Sequence, residues 1–143
     1  MADAIKAIKE RPGKMRYADA VQYRLPPAGV VSILHRISGL LLFVLMPFAI
    51  WLFDNASSSE VSFDTFRNAF VAGIGFVPAW LVKIGTLVLI WSFLQHFCAG
   101  VRHLYMDVTH SVTKEFGRQS ALVAMSVAVI LTIAFGLKLF GAY

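Results

Sequence analysis

Apolar residues run through this chain in three long blocks, unlike the short stretches typical of a soluble domain. The blocks cover about residues 29–53, 78–105 and 120–140, and no charged residue lies between Ile37 and Phe53. A helix of roughly 20 residues crosses a bilayer, and only helices or closed barrels satisfy backbone hydrogen bonds there. Because the blocks lack the alternation of barrel strands, they predict an all-α membrane protein with three transmembrane helices.

The polar segments between the blocks predict how the chain is divided. Residues 1–28 are expected to form a cytoplasmic N-terminal segment and residues 29–143 a three-helix transmembrane domain. The loops are expected at 54–77 on the outer side and 106–119 on the inner side. Helical spacing of three phenylalanines predicts a short interfacial helix within the outer loop. These phenylalanines are Phe63, Phe66 and Phe70.

Composition and charge placement support a membrane location and give an orientation. The chain has 143 residues, of which 58% are hydrophobic and 15% charged, whereas soluble domains are about 25% charged. Basic residues are concentrated before the first block: Lys6, Lys9, Arg11, Lys14, Arg16 and Arg24. The outer loop is mainly acidic. By the positive-inside rule, the N-terminus is predicted to be cytoplasmic and the C-terminus periplasmic, with no role in nucleic-acid binding.

The N-terminal segment lacks the pattern of a targeting sequence. No apolar stretch precedes residue 29, and Asp3 and Glu10 are untypical of an acidic-poor transit peptide. These features favour a bacterial inner membrane, with a mature organellar chain as the alternative.

Ionisable residues inside a membrane are costly, which makes those within the blocks functional candidates. His35 and Arg36 lie in the inner half of the first block. His96 and His103 lie in the inner half of the second block and, being seven residues apart, share one helix face. The antiparallel course of the two helices therefore predicts that all four residues converge near the cytoplasmic surface.

These residue types fit a haem. A neutral imidazole such as that of His96 is a strong axial ligand of haem iron, and Arg36, His35 and His103 suit anionic propionates. A track of small residues on or beside the histidine face predicts room for a flat group: Ser92, Ala99 and Gly100.

Ser32 and Arg36, four residues apart, are candidate hydrogen-bond donors to a quinone carbonyl. Structural alternatives stay open for each candidate. Ser32 has its own helix backbone as an alternative partner, and Asp107 a helix cap or a loop ion pair. A hydrogen bond between helices is the alternative for His96. For Arg36 the alternative is snorkelling to lipid phosphates. For Arg102 we expect that role, and for His110 solvation in the inner loop.

Two segments resemble signatures of a known family. The segment from Ser32 to Gly39 reads S-I-L-H-R-I-S-G and resembles S-x-x-H-R-x-[ST]-G. The segment from His96 to His103, with Asp107 beyond it, resembles H-x-x-x-G-x-R-H-x-x-x-D. These are signatures of the succinate dehydrogenase cytochrome b subunit, the larger membrane anchor of respiratory complex II. The resemblance covers roughly residues 11 to 140.

The resemblance implies cofactors and partners. His96 matches the axial ligand of haem b, and therefore of its iron, while His35 and His103 match positions near the propionates. The second axial ligand would come from the smaller anchor subunit, which completes the helical bundle. Iron–sulfur and flavoprotein subunits would dock on the cytoplasmic face.

For ubiquinone, the resemblance implies that Ser32 and Arg36 line the pocket and that Asp107 lies nearby as a possible proton relay. One departure concerns the segment before the first helix, where many members carry R-P-x-S-P-H-x-x-x-Y. Only Arg11-Pro12 and Tyr23 match here, which puts contacts with the iron–sulfur subunit in doubt.

The predicted function is therefore that of a membrane-anchor subunit of succinate:ubiquinone oxidoreductase, which is no enzyme on its own. Two alternatives stay open. One is the anchor subunit of a quinol:fumarate reductase, which runs the reaction in reverse. The other is a haem-free scaffold or transport protein, although none of the three blocks contains an acidic residue for a coupled cation.

Overall fold

Residues 25–141, which the computed structural model describes, form four α-helices. They are α1 (Pro27–Ser57), α2 (Glu60–Val71), α3 (Ala79–Thr109) and α4 (Lys114–Leu139). Among these, α1, α3 and α4 are long and apolar enough to cross a membrane. The prediction of an all-α membrane protein with three transmembrane helices is confirmed, and the chain is a multi-pass membrane protein. The basic N-terminal residues, Arg11-Pro12 and Tyr23 lie outside the described residues.

The middle transmembrane helix, α3, packs along both α1 and α4, while α1 and α4 contact each other less extensively. Small residues allow this close approach, as is usual between membrane helices. Val31 of α1, Ala99 of α3 and Ala121 of α4 meet in a fully buried cluster. Large apolar side chains such as Phe43 and Phe53 point outward, toward what would be lipid or another subunit.

The helices extend beyond the apolar blocks on the side where α3 is joined to α4. The α3 helix continues to Thr109, and His110 then ends it in the left-handed conformation, with φ 52°, which histidine adopts more readily than most residues. The Thr113 hydroxyl accepts a hydrogen bond from the Phe116 N–H and caps α4. The connection is therefore residues 110–113 alone, and Asp107 lies in the last turn of α3.

The predicted helix in the outer loop is present as α2. Ser59 and Ser62 form a reciprocal capping box at its start, and its phenylalanine rings pack on one another along the helix. The turn that follows requires glycine. Gly73 has φ 101°, and a Cβ there would collide with the Val77 carbonyl.

Candidate functional site

Three imidazole rings gather between α1 and α3. The His35 ring of α1 stacks on the His96 ring, with 4.1 Å between centroids and 20° between planes. The His103 ring lies 5.3 Å from His35 and is tilted by 43°. All three side chains are partly exposed. The predicted convergence of the histidines is therefore observed, with His35 between the two histidines of α3.

The hydrogen bonds of His96 decide which ring nitrogen carries the proton. Nδ1 lies 3.1 Å from the backbone oxygen of His35 and 3.4 Å from Ser38 Oγ. A carbonyl oxygen only accepts, so Nδ1 must be the protonated nitrogen and donate to it. The Ser38 hydroxyl also donates to the His35 carbonyl, at 2.9 Å. In the neutral imidazole, Nε2 of His96 then carries the lone pair.

Two glycines leave room for the rings. A Cβ on Gly39 would lie 3.0 Å from Cε1 and 3.3 Å from Nδ1 of His96. A Cβ on Gly100 would lie 3.8 Å from Nε2 of His35, which is ordinary contact. Gly39 thus lets α1 approach the His96 ring more closely than any other residue would allow.

The other predicted site residues lie near this cluster in sequence but are not joined to it by hydrogen bonds or ion pairs within residues 25–141. Arg36 and Asp107 are exposed and Ser32 is partly buried. Across residues 25–141, none of the three forms a side-chain hydrogen bond or an ion pair. Ser32 therefore does not bond its own helix backbone, and its hydroxyl is available to a ligand.

The prediction that Arg102 snorkels to lipid phosphates is wrong, because its side chain does not reach the surface. Its side chain is only 8% exposed. Nε donates to Ser120 Oγ at 3.0 Å, and Nη2 donates to the Gly117 carbonyl at 3.3 Å. Arg102 joins α3 to the first turns of α4. It turns inward because α4 offers acceptors on that side of α3.

Comparison with known proteins identifies the family. The sequence model described as "Succinate dehydrogenase/Fumarate reductase transmembrane subunit" matches residues 10–135. The chain belongs to this family. The resemblance of its two motif segments to that group is thereby confirmed.

Individual relatives in the succinate dehydrogenase/fumarate reductase transmembrane subunit family carry consistent names. The "Succinate dehydrogenase cytochrome b556 subunit" of Coxiella burnetii is 31% identical over 118 residues, covering 82% of this chain and 90% of the relative. The protein of the same name from Paracoccus denitrificans is 29% identical over 111 residues, covering 78% of this chain and 80% of the relative. A third, from Rickettsia felis, is 22% identical over 111 residues, covering 78% and 81%.

The geometry of His96 fits the axial ligand that a cytochrome b would need. Metal-bound histidines usually donate their second ring N–H to a carbonyl or carboxylate, which fixes the tautomer and the ring orientation. Nδ1 of His96 makes that bond. The stacked His35 ring covers a face of the imidazole, whereas a ligand lone pair lies in the ring plane, so stacking of this kind does not itself block Nε2.

The small-residue track predicted beside the histidines is wrong at two of its positions. Ser92 and Ala99 are both 0% exposed, and Ala99 packs against Val31 of α1 and Ala121 of α4, so neither residue lines an open groove. Gly100 is partly exposed and faces His35. A flat group would therefore meet α3 on the side of Gly100.

Sequence reasoning missed several residues of this region. Ser38 and Gly39 belong to the first motif segment, yet no role was assigned to them, although the motif itself was a signal. Gln95 is 1% exposed and precedes His96. Its Nε2 and the Ser92 hydroxyl have no hydrogen-bond partner within the described part of the chain.

Proposed function

We propose that this chain is a membrane-anchor subunit of a succinate:ubiquinone oxidoreductase, holding haem b through His96 and forming part of the quinone-reduction site. The carrying observation is the hydrogen bond from Nδ1 of His96 to the His35 carbonyl, which leaves Nε2 as a ligand. The family, and relatives named cytochrome b556 subunits, support the proposal. His96 would supply this chain's half of the haem site, and the smaller anchor subunit would supply the other half.

When bound, haem b supplies a one-electron redox centre. This chain's own residues orient the ligand. The His35 carbonyl and Ser38 hold the His96 ring, and Gly39 lets α1 lie against it. His35 and His103 are proposed to face the propionates, because their partly exposed imidazoles lie beside His96 and can donate hydrogen bonds to carboxylates.

Ser32 and Arg36 are proposed as donors to the quinone. They lie one turn apart on α1, and the side chain of each makes no hydrogen bond within residues 25–141. Arg36 stabilises negative charge on the quinone oxygen as electrons arrive, an effect that is largest where little water is present. Asp107, exposed in the last turn of α3, is proposed to relay protons from the aqueous side.

The electrons are proposed to come from succinate through a flavoprotein subunit and an iron–sulfur subunit. These subunits would dock where the histidines converge, at the cytoplasmic face of a bacterial inner membrane. The basic N-terminal segment and the basic residues Lys114 and Arg118 support this orientation through the positive-inside rule. The C-terminus would then be periplasmic.

The reverse direction, quinol:fumarate reduction, is a second candidate, because the family description names both enzymes. Direction depends on the potentials of the cofactors and on the quinone. The quinone that co-purifies with the complex discriminates between them, with ubiquinone expected here and the lower-potential menaquinone supporting fumarate reduction.

A reduced-minus-oxidised visible spectrum of the purified complex tests the haem proposal. Wild type is expected to show a low-spin b-type spectrum, and His96→Ala is expected to lose or alter it. His110→Asn is the matched control, because His110 is exposed at the end of the same helix and asparagine tolerates its left-handed conformation. A haem-free wild-type complex would support the scaffold alternative, and an unchanged His96→Ala spectrum would exclude His96 as ligand.

A further inference from the structure

A second feature of α3 lies on the side away from the histidines. A groove of about 510 Å³ runs between α3 and the first half of α4. Its walls are apolar for most of their length, with Phe97, Val101, Val123 and Val127 among the lining residues. Arg102 and Ser120 line it where α3 is joined to α4.

The charge of Arg102 has no counter-ion among residues 25–141. Nε and Nη2 donate to Ser120 and to the Gly117 carbonyl, which are neutral groups, and Nη1 makes no hydrogen bond in the same range. The nearest acidic residues along these two helices, Asp107 and Glu115, are exposed and form no ion pair with it. A cation buried in an apolar region is costly unless an anion accompanies it.

We propose that this groove binds an anionic phospholipid, with its phosphate against Nη1 of Arg102 and an acyl chain along the apolar walls. The guanidinium is suited to phosphate oxygens. The volume of the groove lies within the range of small-ligand sites, roughly 300–1,000 Å³. A protein helix is about 10 Å wide, so the groove suits a lipid better than a helix of another subunit. Lys114 and Arg118, exposed at the start of α4, make this end of the bundle attractive to anionic lipid.

Ring contacts at the same end suit the headgroup level of a membrane. Tyr105 and Phe116 both line the groove and stack with 5.7 Å between centroids. Aromatic side chains are enriched at membrane–water interfaces. The groove therefore pairs a charged end beside aromatic rings with an apolar end deeper in the bundle, which matches the two parts of a phospholipid.

Photo-crosslinking in the intact purified complex tests the proposal. A benzophenone amino acid is placed at Val123, at the rim of the groove, or at Ile130, which is exposed on α4 but does not line it. After bulk lipid is removed with detergent, phosphatidylglycerol or phosphatidylcholine is added and the adducts are identified by mass. A phosphatidylglycerol adduct at Val123, at least fivefold above both phosphatidylcholine and the Ile130 control, is expected.

Charge variants then test the role of Arg102. Arg102→Gln removes the charge but can still donate to Ser120, and the phosphatidylglycerol adduct is expected to fall at least fivefold, while Arg102→Lys keeps most of it. If the Arg102→Gln complex fails to assemble, the comparison of phosphatidylglycerol with phosphatidylcholine in the wild-type complex still tests the proposal. An adduct to another polypeptide would show a subunit interface instead, and equal adducts with the two lipids would also overturn the proposal.

Discussion

The two sides of α3 use polar residues in opposite ways. On the α1 side, His96 and His103 lie beside His35 with partly exposed rings, and Nε2 of His96 has no hydrogen-bond partner within residues 25–141. On the α4 side, Arg102 is almost fully buried and donates to two groups of α4. Arg102 and His103 are neighbours in sequence, but about 100° of helix rotation separates their side chains.

This difference shows that polarity inside a membrane protein does not indicate by itself what a residue does. The histidine side keeps donors and a lone pair available, as a ligand site requires. On the arginine side, Arg102 uses two of its N–H donors to join α3 to α4. Its charge has no counter-ion within the described residues. Variants on each side should therefore affect different measurements.

The largest effect is expected from Arg36→Leu, on the histidine side. Removing a donor that stabilises developing negative charge should lower quinone reduction at least about tenfold, while haem content is retained. Turnover with a ubiquinone analogue and the haem-to-protein ratio measure the two quantities. Arg118→Leu, an exposed arginine near the start of α4, is the matched control. Unchanged quinone reduction in Arg36→Leu would contradict the quinone role.

Gly39→Ala should disturb the His96 ring without removing any functional group. The new methyl would lie 3.0 Å from Cε1 of His96, and overpacking of this kind typically costs about 1–3 kcal/mol. A lower haem content or a shifted spectrum is expected. Gly117→Ala on the arginine side is the control, since a Cβ there meets nothing within 4 Å. If both substitutions left the haem spectrum unaltered, the close packing of Gly39 against His96 would have no influence on the haem site.

Ser120→Ala should weaken the arginine side alone. It removes the acceptor of Arg102 Nε, and hydrogen bonds between membrane helices average about 0.6 kcal/mol. A loss of that order in the free energy of unfolding of the complex is expected, with an unchanged haem spectrum. Ser126→Ala, on the exposed face of the same helix, should have no effect. A haem change in Ser120→Ala would break the separation between the two sides.

The smallest effect is expected from Ser92→Ala, at a fully buried position of α3. The Ser92 hydroxyl is buried without a partner within the described residues, so removing it should leave the unfolding free energy unchanged or slightly higher. Ser38→Ala is the comparison, because it loses a hydrogen bond to the His35 carbonyl and should cost about 0.5–1.5 kcal/mol. Equal losses in the two variants would indicate that Ser92 has a partner.

The sequence by itself determined the membrane fold and the half of the helices in which the site lies. Length and continuity of the apolar blocks are enough for three spanning helices, because the bilayer sets the length of a span. Because consecutive spanning helices run in opposite directions, His35 and His96 are expected at the same end of the helix bundle. The family motifs added residue roles, which the His96 geometry fits and which stay proposals.

Only the tertiary structure decided which way each side chain turns and what it meets. The pattern along α3 gives the angle between Arg102 and His103, but not where α1 and α4 stand around the helix. That placement turned Arg102 from a predicted snorkelling residue into a link to Ser120. It also buried Ser92 and Ala99 of the predicted track and directed Nδ1 of His96 to the His35 carbonyl. The reason is that contacts between helices depend on the rotation of two elements at once, whereas periodicity describes one.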